Sequence, residues 1–351
     1  GVRGRLLLAC LGISAFSLVA AASGLYSLWQ VGGALTKITE KRVPEALSWL
    51  ELSRRVESVV RAAPALLVVK TDSARIKVSN EIESQISQLK PFLKTNRSYE
   101  TEAEKTATDE VLNLFGDMSV NLASLNVLVK KRLYIVALEK NRIRDLSRAN
   151  SIAQRMLSPG ERILGAQMAD WNRSQEIDEA NQSSDEKSDL LNSIIALIPQ
   201  QRAALLVDSI HNNLLTITDA DSAERIDVLI FPLKKSLKEL YEVSLIVSKR
   251  TKRRLAKQVA ILEDLTVGPK SLSQIRKNEL AIITQAEELL AANVRLSKFL
   301  TNRVNFLVKS ANSDIEKANL QAVAIQTLNR NILIGIAVLS LVSSLLIVWL
   351  Y

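Results

Sequence analysis

The chain has 351 residues, of which 47% are hydrophobic, 4% aromatic and 24% charged, with a formal charge of +9 at pH 7. A single histidine and a single cysteine exclude His/Cys metal clusters and an internal disulfide, and the place of that cysteine, Cys10, in an apolar run of membrane-spanning length excludes a Cys–His dyad. Eleven glycines and seven prolines leave little material for turns, and no segment alternates apolar with polar residues as a half-buried strand does.

Residues 6–30 form an uncharged run preceded by Arg3 and Arg5, and the lone cysteine, Cys10, lies inside it. A signal peptide processed at Ala20-Ala21-Ala22-Ser23 is one reading of it. The run continues through Leu25, Tyr26, Leu28 and Trp29 to a spanning length, which favours a retained transmembrane helix.

Residues 31–330 follow, and they read as helix throughout. All 37 acidic residues, and all 46 basic ones except Arg3 and Arg5, lie in this central region. The charges read as interleaved (Glu139-Lys140, Asp145, Glu161-Arg162) and not gathered into a stripe, so nucleic acid is not an expected partner. The first helix is expected to reach about Thr39, to resume after Pro44 and to break at Ala63-Pro64. Thr71-Asp72-Ser73 caps the next helix, which is expected to end in the Pro91 to Ser98 stretch. A long helix then runs to Leu157, and Ser158-Pro159-Gly160 divides the region into halves. The second half is read as a helix with a restart at Pro199, a turn at Asp219 to Asp221, and a helix through Pro232 to Leu265. Gly268-Pro269 then precedes a final helix that continues from Ser271 to the end.

Narrow apolar stripes such as Met118, Leu122, Leu125, Val129, Leu133 and Val136 demand helical partners, as in bundles and coiled coils. Leu66 to Asp72 resembles Leu214 to Asp219, and Leu125 to Arg132 resembles Val243 to Arg250; chance likeness between amphipathic helices competes with an internal duplication. Residues 331–351 close the chain with a second uncharged run, bounded by Asn329-Arg330-Asn331 and by Trp349 and Tyr351. Twenty such residues make a helix of about 30 Å, the thickness of a bilayer's hydrocarbon core. The expected architecture is all-α, with elongated stacked helical bundles between two transmembrane helices.

Few residues suggest chemistry. His211 is followed by Asn212-Asn213 without an acidic neighbour and reads as an ordinary helical histidine. No glycine-rich phosphate loop is present, and no catalytic residue, cofactor or metal site is expected. Trp49, Arg54, Arg55 and Arg61 on the helix after Pro44, together with Trp171, are candidate partner-binding residues, because Trp and Arg are enriched at interface hot spots. Core packing for Trp49 and a solvated face for the arginines are the plainer readings. Pro232, Gly268 and Pro269 are candidate bends.

Arg42-Val43-Pro44-Glu45-Ala46-Leu47, then Leu50 to Arg54 and Ala62 to Leu67, resemble the start of a known sensor region, as Ile275 to Leu280 and Ala291 to Val294 resemble its close. The likeness is to the extracytoplasmic region of TorS-type bacterial hybrid sensor histidine kinases, which detect trimethylamine N-oxide through a binding protein. The resemblance implies two stacked four-helix bundles, a homodimer in the inner membrane with its central domain in the periplasm, and a periplasmic binding protein as partner. A HAMP module, kinase and receiver are then expected beyond Tyr351. The alternative is the input region of a chemotaxis-type or cyclase receptor, or a structural coiled-coil spacer.

Overall fold

The computed structural model describes residues 2–95, 101–177, 184–247 and 249–349, and among them every regular element is helical. In order these are α1 (Val2–Thr36), α2 (Val43–Ala62), α3 (Ala65–Val68), α4 (Asp72–Thr95), α5 (Glu102–Ile177), α6 (Ser184–Thr218), α7 (Ala223–Ile246), α8 (Lys249–Val267) and α9 (Leu272–Trp349). Residues 96–100, within and after the expected turn, and Tyr351 lie outside the described residues.

The expected cap at Thr71 is present, and two further helix starts have caps of the same kind. Thr71 Oγ1 accepts from the Ala74 N–H at 3.2 Å, Thr101 Oγ1 from that of Glu104 at 3.1 Å, and Ser222 Oγ from that of Arg225 at 3.2 Å. The Ala63-Pro64 break is present between α2 and α3. Between α1 and α2 the expected interruption is instead a π-helical segment, Lys37–Arg42, in which the Val43 N–H reaches back to the Ile38 carbonyl. Pro44 explains the widening, since its ring would strike the carbonyl four residues earlier in a tighter α-turn.

Two expected breaks are absent. α5 runs unbroken through Ser158-Pro159-Gly160, and α6 passes through Pro199. Leu157 is wholly buried in the core ahead of the first, and Ala203 in the core after the second; packing of this kind overrides the local cost of a proline. A break not foreseen occurs at Val247, whose extended backbone separates α7 from α8.

The fold divides into two compact units, each assembled from separate segments: residues 1–64, 78–123 and 290–351 form unit 1, and residues 65–77 and 124–289 form unit 2. The division expected near residues 158–160 is therefore not the one the chain makes. Unit 1 is a four-helix bundle whose core takes Trp49, Leu52 and Val56 from α2, Ile82 and Leu89 from α4, Val111, Phe115 and Leu122 from α5, and Leu300, Val304 and Leu307 from α9. Unit 2 buries Leu146 and Ala153 of α5 with Val207, Ile210 and Leu214 of α6, Leu233 and Leu240 of α7, and Leu255 and Leu262 of α8, and it adds Leu272 from the start of α9.

Three stretches, within Ser14–Val68, Glu102–Ser158 and Thr251–Leu346, contain runs long and apolar enough to cross a membrane by length and composition. In the α5 stretch these apolar side chains supply cores, Val111 and Leu125 among them. The other two leave theirs uncovered, as at Leu18 and Leu28 of α1 and Leu341 and Leu345 of α9. Ser23 of α1 donates to Asn329 Oδ1 of α9 at 2.6 Å.

Candidate functional site

The chemistry of unit 1 concentrates at Arg42, the last residue of the π-helical segment and only 1% exposed. Burying a guanidinium is expensive unless carboxylates surround it. Three do. Arg42 Nη1 lies 3.1 Å from Glu45 Oε2 and 3.7 Å from Glu104 Oε1, and Nη2 donates to Asp314 Oδ2. Glu104 Oε1 also accepts from Ser310 Oγ at 2.8 Å. The cluster thus joins α2, the first turn of α5 and α9. Burial pushes the Glu45 carboxyl above its ordinary range, against the hydrogen bond and charge of Arg42, with repulsion from Glu104 adding to the rise and Lys41 opposing it.

Unit 2 contains a second buried charge cluster. Glu279 of α9, 3% exposed, receives Arg132 Nε on Oε1 at 3.3 Å and Arg276 Nη1 on Oε2 at 2.6 Å. Each arginine also donates to a helix-terminal carbonyl: Arg132 to Leu67 O at 2.6 Å and Arg276 to Ala220 O at 2.9 Å. One carboxylate therefore fixes two chain reversals, α3 to α4 and α6 to α7. Nearby, Arg75 bridges Asp72 Oδ1 at 2.7 Å and Asn126 Oδ1 at 2.6 Å. Burial, reinforced by Glu279 and Asp219 and opposed by Arg276, raises the Glu139 carboxyl.

This clarifies the internal likeness. The two similar segments ending at Asp72 and Asp219 both lead into reversals held by the Glu279 cluster. The second pair does not correspond, because Leu125 to Arg132 lies within α5 whereas Val243 to Arg250 crosses the α7–α8 junction.

The sequence-derived candidates separate. Trp49 is 2% exposed, in the core stripe of α2, and offers no surface to a partner in this packing. Arg54 and Arg61 are exposed on α2, and Arg61 pairs with Glu57 at 2.6 Å. Arg55 is half-buried: it pairs with Glu51 at 2.6 Å, donates to Gln88 at 3.2 Å and lies 5.4 Å from the Phe92 ring centre. Trp171 is half-buried on α5 and belongs to unit 2, whereas the arginines belong to unit 1. His211 is half-buried on α6. Pro232 lies within an unbroken α7. Gly268 and Pro269 occupy the α8–α9 turn, where a Cβ on Gly268 would stand 2.3 Å from Asp264 Oδ1 and 2.5 Å from its carbonyl oxygen.

Residue patterns hid the two clusters. Thr101-x-x-Glu104 has the form of a capping box, but Glu104 turns to Arg42 instead of back to its own helix start. Nor are the basic residues evenly interleaved: in α8 they run from Lys249 to Lys257 without an acidic residue.

No protein-family model matches the chain, and no curated protein sequence matches it. Among solved structures, the chain shares its all-helical fold with the sensor domain of the V. parahaemolyticus histidine kinase sensor TorS. That match has a TM-score of 0.59 at 16% identity, covering 77% of this chain and all of that one. A second match is the TorS sensor domain in complex with TorT in the presence of TMAO, with a TM-score of 0.59 at 17% identity, covering 78% of this chain and all of that one. The fold is that of a TorS sensor domain.

Proposed function

We propose that this chain is the input and transmembrane signalling region of a membrane-bound sensor histidine kinase, detecting a periplasmic small molecule through a periplasmic binding protein. The observation that carries this reading is the Arg42 cluster within a TorS-like fold. It ties the segment that follows the α1 apolar run to α9, the helix that carries the other apolar run. A helical bundle with two packings a few kcal/mol apart responds to a partner only through differential affinity, and a buried ion cluster gives discrete alternatives for such a partner to select. The protein acts as a homodimer in the inner membrane, with residues 31–330 in the periplasm. Arg54, Arg55 and Arg61 of α2 contribute contacts to the partner, and Trp171 a contact in unit 2. Pro232, Gly268 and Pro269 serve as bends.

The test replaces the one cysteine of these 351 residues and introduces another at the surface. In a Cys10→Ala background, Val228→Cys, at a position 72% exposed, reports topology through a membrane-impermeant maleimide. Labelling of intact spheroplasts and protection in inverted vesicles is the expected result; the reverse pattern overturns the reading. Arg54→Ala/Arg61→Ala is expected to lower the response of kinase output to stimulus, and an unchanged response removes the α2 contacts.

A further inference from the structure

α8 opens Lys249-Arg250-Thr251-Lys252-Arg253-Arg254, adds Lys257, and has no acidic residue before Glu263. The arrangement is unfavourable on its own. The first turns of a helix carry the positive end of the macrodipole, and like charges three or four positions apart repel. Packing fixes where these cations point, because Leu255, Val259, Leu262 and Leu265 are buried in the unit 2 core. Lys252, Arg253, Arg254 and Lys257 are accordingly exposed.

α7 extends the same surface. Its exposed Lys234 and Lys238 line a groove of about 510 Å³ with Tyr241 of α7 and Val259 and Glu263 of α8. Some exposed arginines elsewhere have neighbouring carboxylates, as Arg61 has Glu57 and Arg202 has Glu239. Among the described residues, Lys234, Lys238, Arg253, Arg254 and Lys257 have no ion-pair partner.

We propose that the α7–α8 face of unit 2 is a docking surface for a carboxylate-rich protein surface. The proposal rests on the sensor reading above and says where the partner binds and by what chemistry. Partner carboxylates offset both the dipole penalty and the repulsion among the cations, and Tyr241, 57% exposed, supplies an aromatic anchor in the groove. A lipid surface fits less well, since a basic helix enters a bilayer through a free apolar face and that of α8 is used in the core.

The test is photo-crosslinking in cells carrying the full-length protein, with a benzophenone amino acid at Tyr241 and, as a control, at Tyr134, which is 69% exposed on α5. The Tyr241 probe is expected to capture one protein, identified by mass spectrometry, through an acidic peptide; the Tyr134 probe is not. Arg253→Glu/Arg254→Glu is expected to cut the yield about tenfold, in line with charge-steered association, and lysines placed at two carboxylates of the captured peptide restore it. Lys234→Glu/Lys238→Glu provides a second variant, and retained helical circular dichroism shows that each is folded. Capture of lipid, nucleic acid or a second copy of the chain overturns the proposal, as does an absence of capture or a yield indifferent to charge reversal. A stimulus response that survives both variants overturns this surface and leaves the sensor reading intact, whereas reversed maleimide labelling removes that reading itself.

Discussion

Arg42 and Asp314 are joined by a buried ion pair although 272 positions separate them in the chain. Asp314 stands on α9 about 27 Å before Ile332 at 1.5 Å per residue, and Arg42 closes the segment that follows α1. Three carboxylates, from α2, α5 and α9, gather around the one guanidinium at the end of the π-helical segment. Such a cluster tolerates little sliding, because any movement that separates the charges leaves one of them in the interior without its partner.

Arg42→Met is therefore expected to destabilise the protein by about 3–5 kcal/mol, the usual range for removing one side of a buried pair. The check is the unfolding midpoint of the purified full chain in detergent, followed by helical circular dichroism. Arg42→Met with Asp314→Leu is expected to recover part of the loss, and a sum of independent effects in the double variant counts against the pairing.

pH provides a second handle. Glu45 and Glu139 have pKa values raised above the ordinary 4.5, so the folded chain holds these protons more tightly than the unfolded one. Their contribution to stability is present below that value and is lost as pH rises through the raised values. Asp72, lowered chiefly by its hydrogen bond with Arg75, has the opposite sign: its contribution is present above its ordinary 3.8 and is lost as pH falls through the lowered value. Glu139 is the cleaner probe, because its Oε1 is buried without a hydrogen-bond partner. Glu139→Gln is expected to raise the unfolding midpoint at neutral pH and to flatten its decline above pH 4.5.

Glu279 offers a test of long-range fixation. Glu279→Ala removes the carboxylate that both arginines reach, with an expected loss of about 3–5 kcal/mol. Amide exchange is expected to quicken around Leu67 and around Ala220 together, since both carbonyls accept from arginines that Glu279 holds. Arg132→Met is expected to loosen the first region alone, and Arg276→Met the second.

Gly268→Ala brings a methyl group against Asp264, at 2.3 Å from its Oδ1 and 2.5 Å from its carbonyl oxygen. The α8 terminus must shift, at about 1–3 kcal/mol for overpacking of this kind. Because Asp264 pairs with Arg142 at 2.9 Å, Arg142→Ala in the Gly268→Ala background is expected to cost less than it does in the native chain.

Two uncharged runs of spanning length, helical stripes without strand alternation, and the cap at Thr71 were all readable from residue order, because each depends on composition or on neighbours within a turn or two. The TorS-like fold was legible in the same way, through the stretches beginning at Arg42 and Ile275. Partnership between distant residues was not. Arg42 reads as one cation among many until α5 and α9 bring Glu104 and Asp314 to it, and Glu279 looks like a solvated carboxylate until two arginines converge on it. Prolines also mislead in isolation: Pro159 and Pro199 sit inside continuous helices, while Val247, with no local signal, breaks one. Local preferences amount to a few kcal/mol at most, whereas burial of a whole helical face sums over many side chains, so where local and tertiary preferences conflict the packing decides.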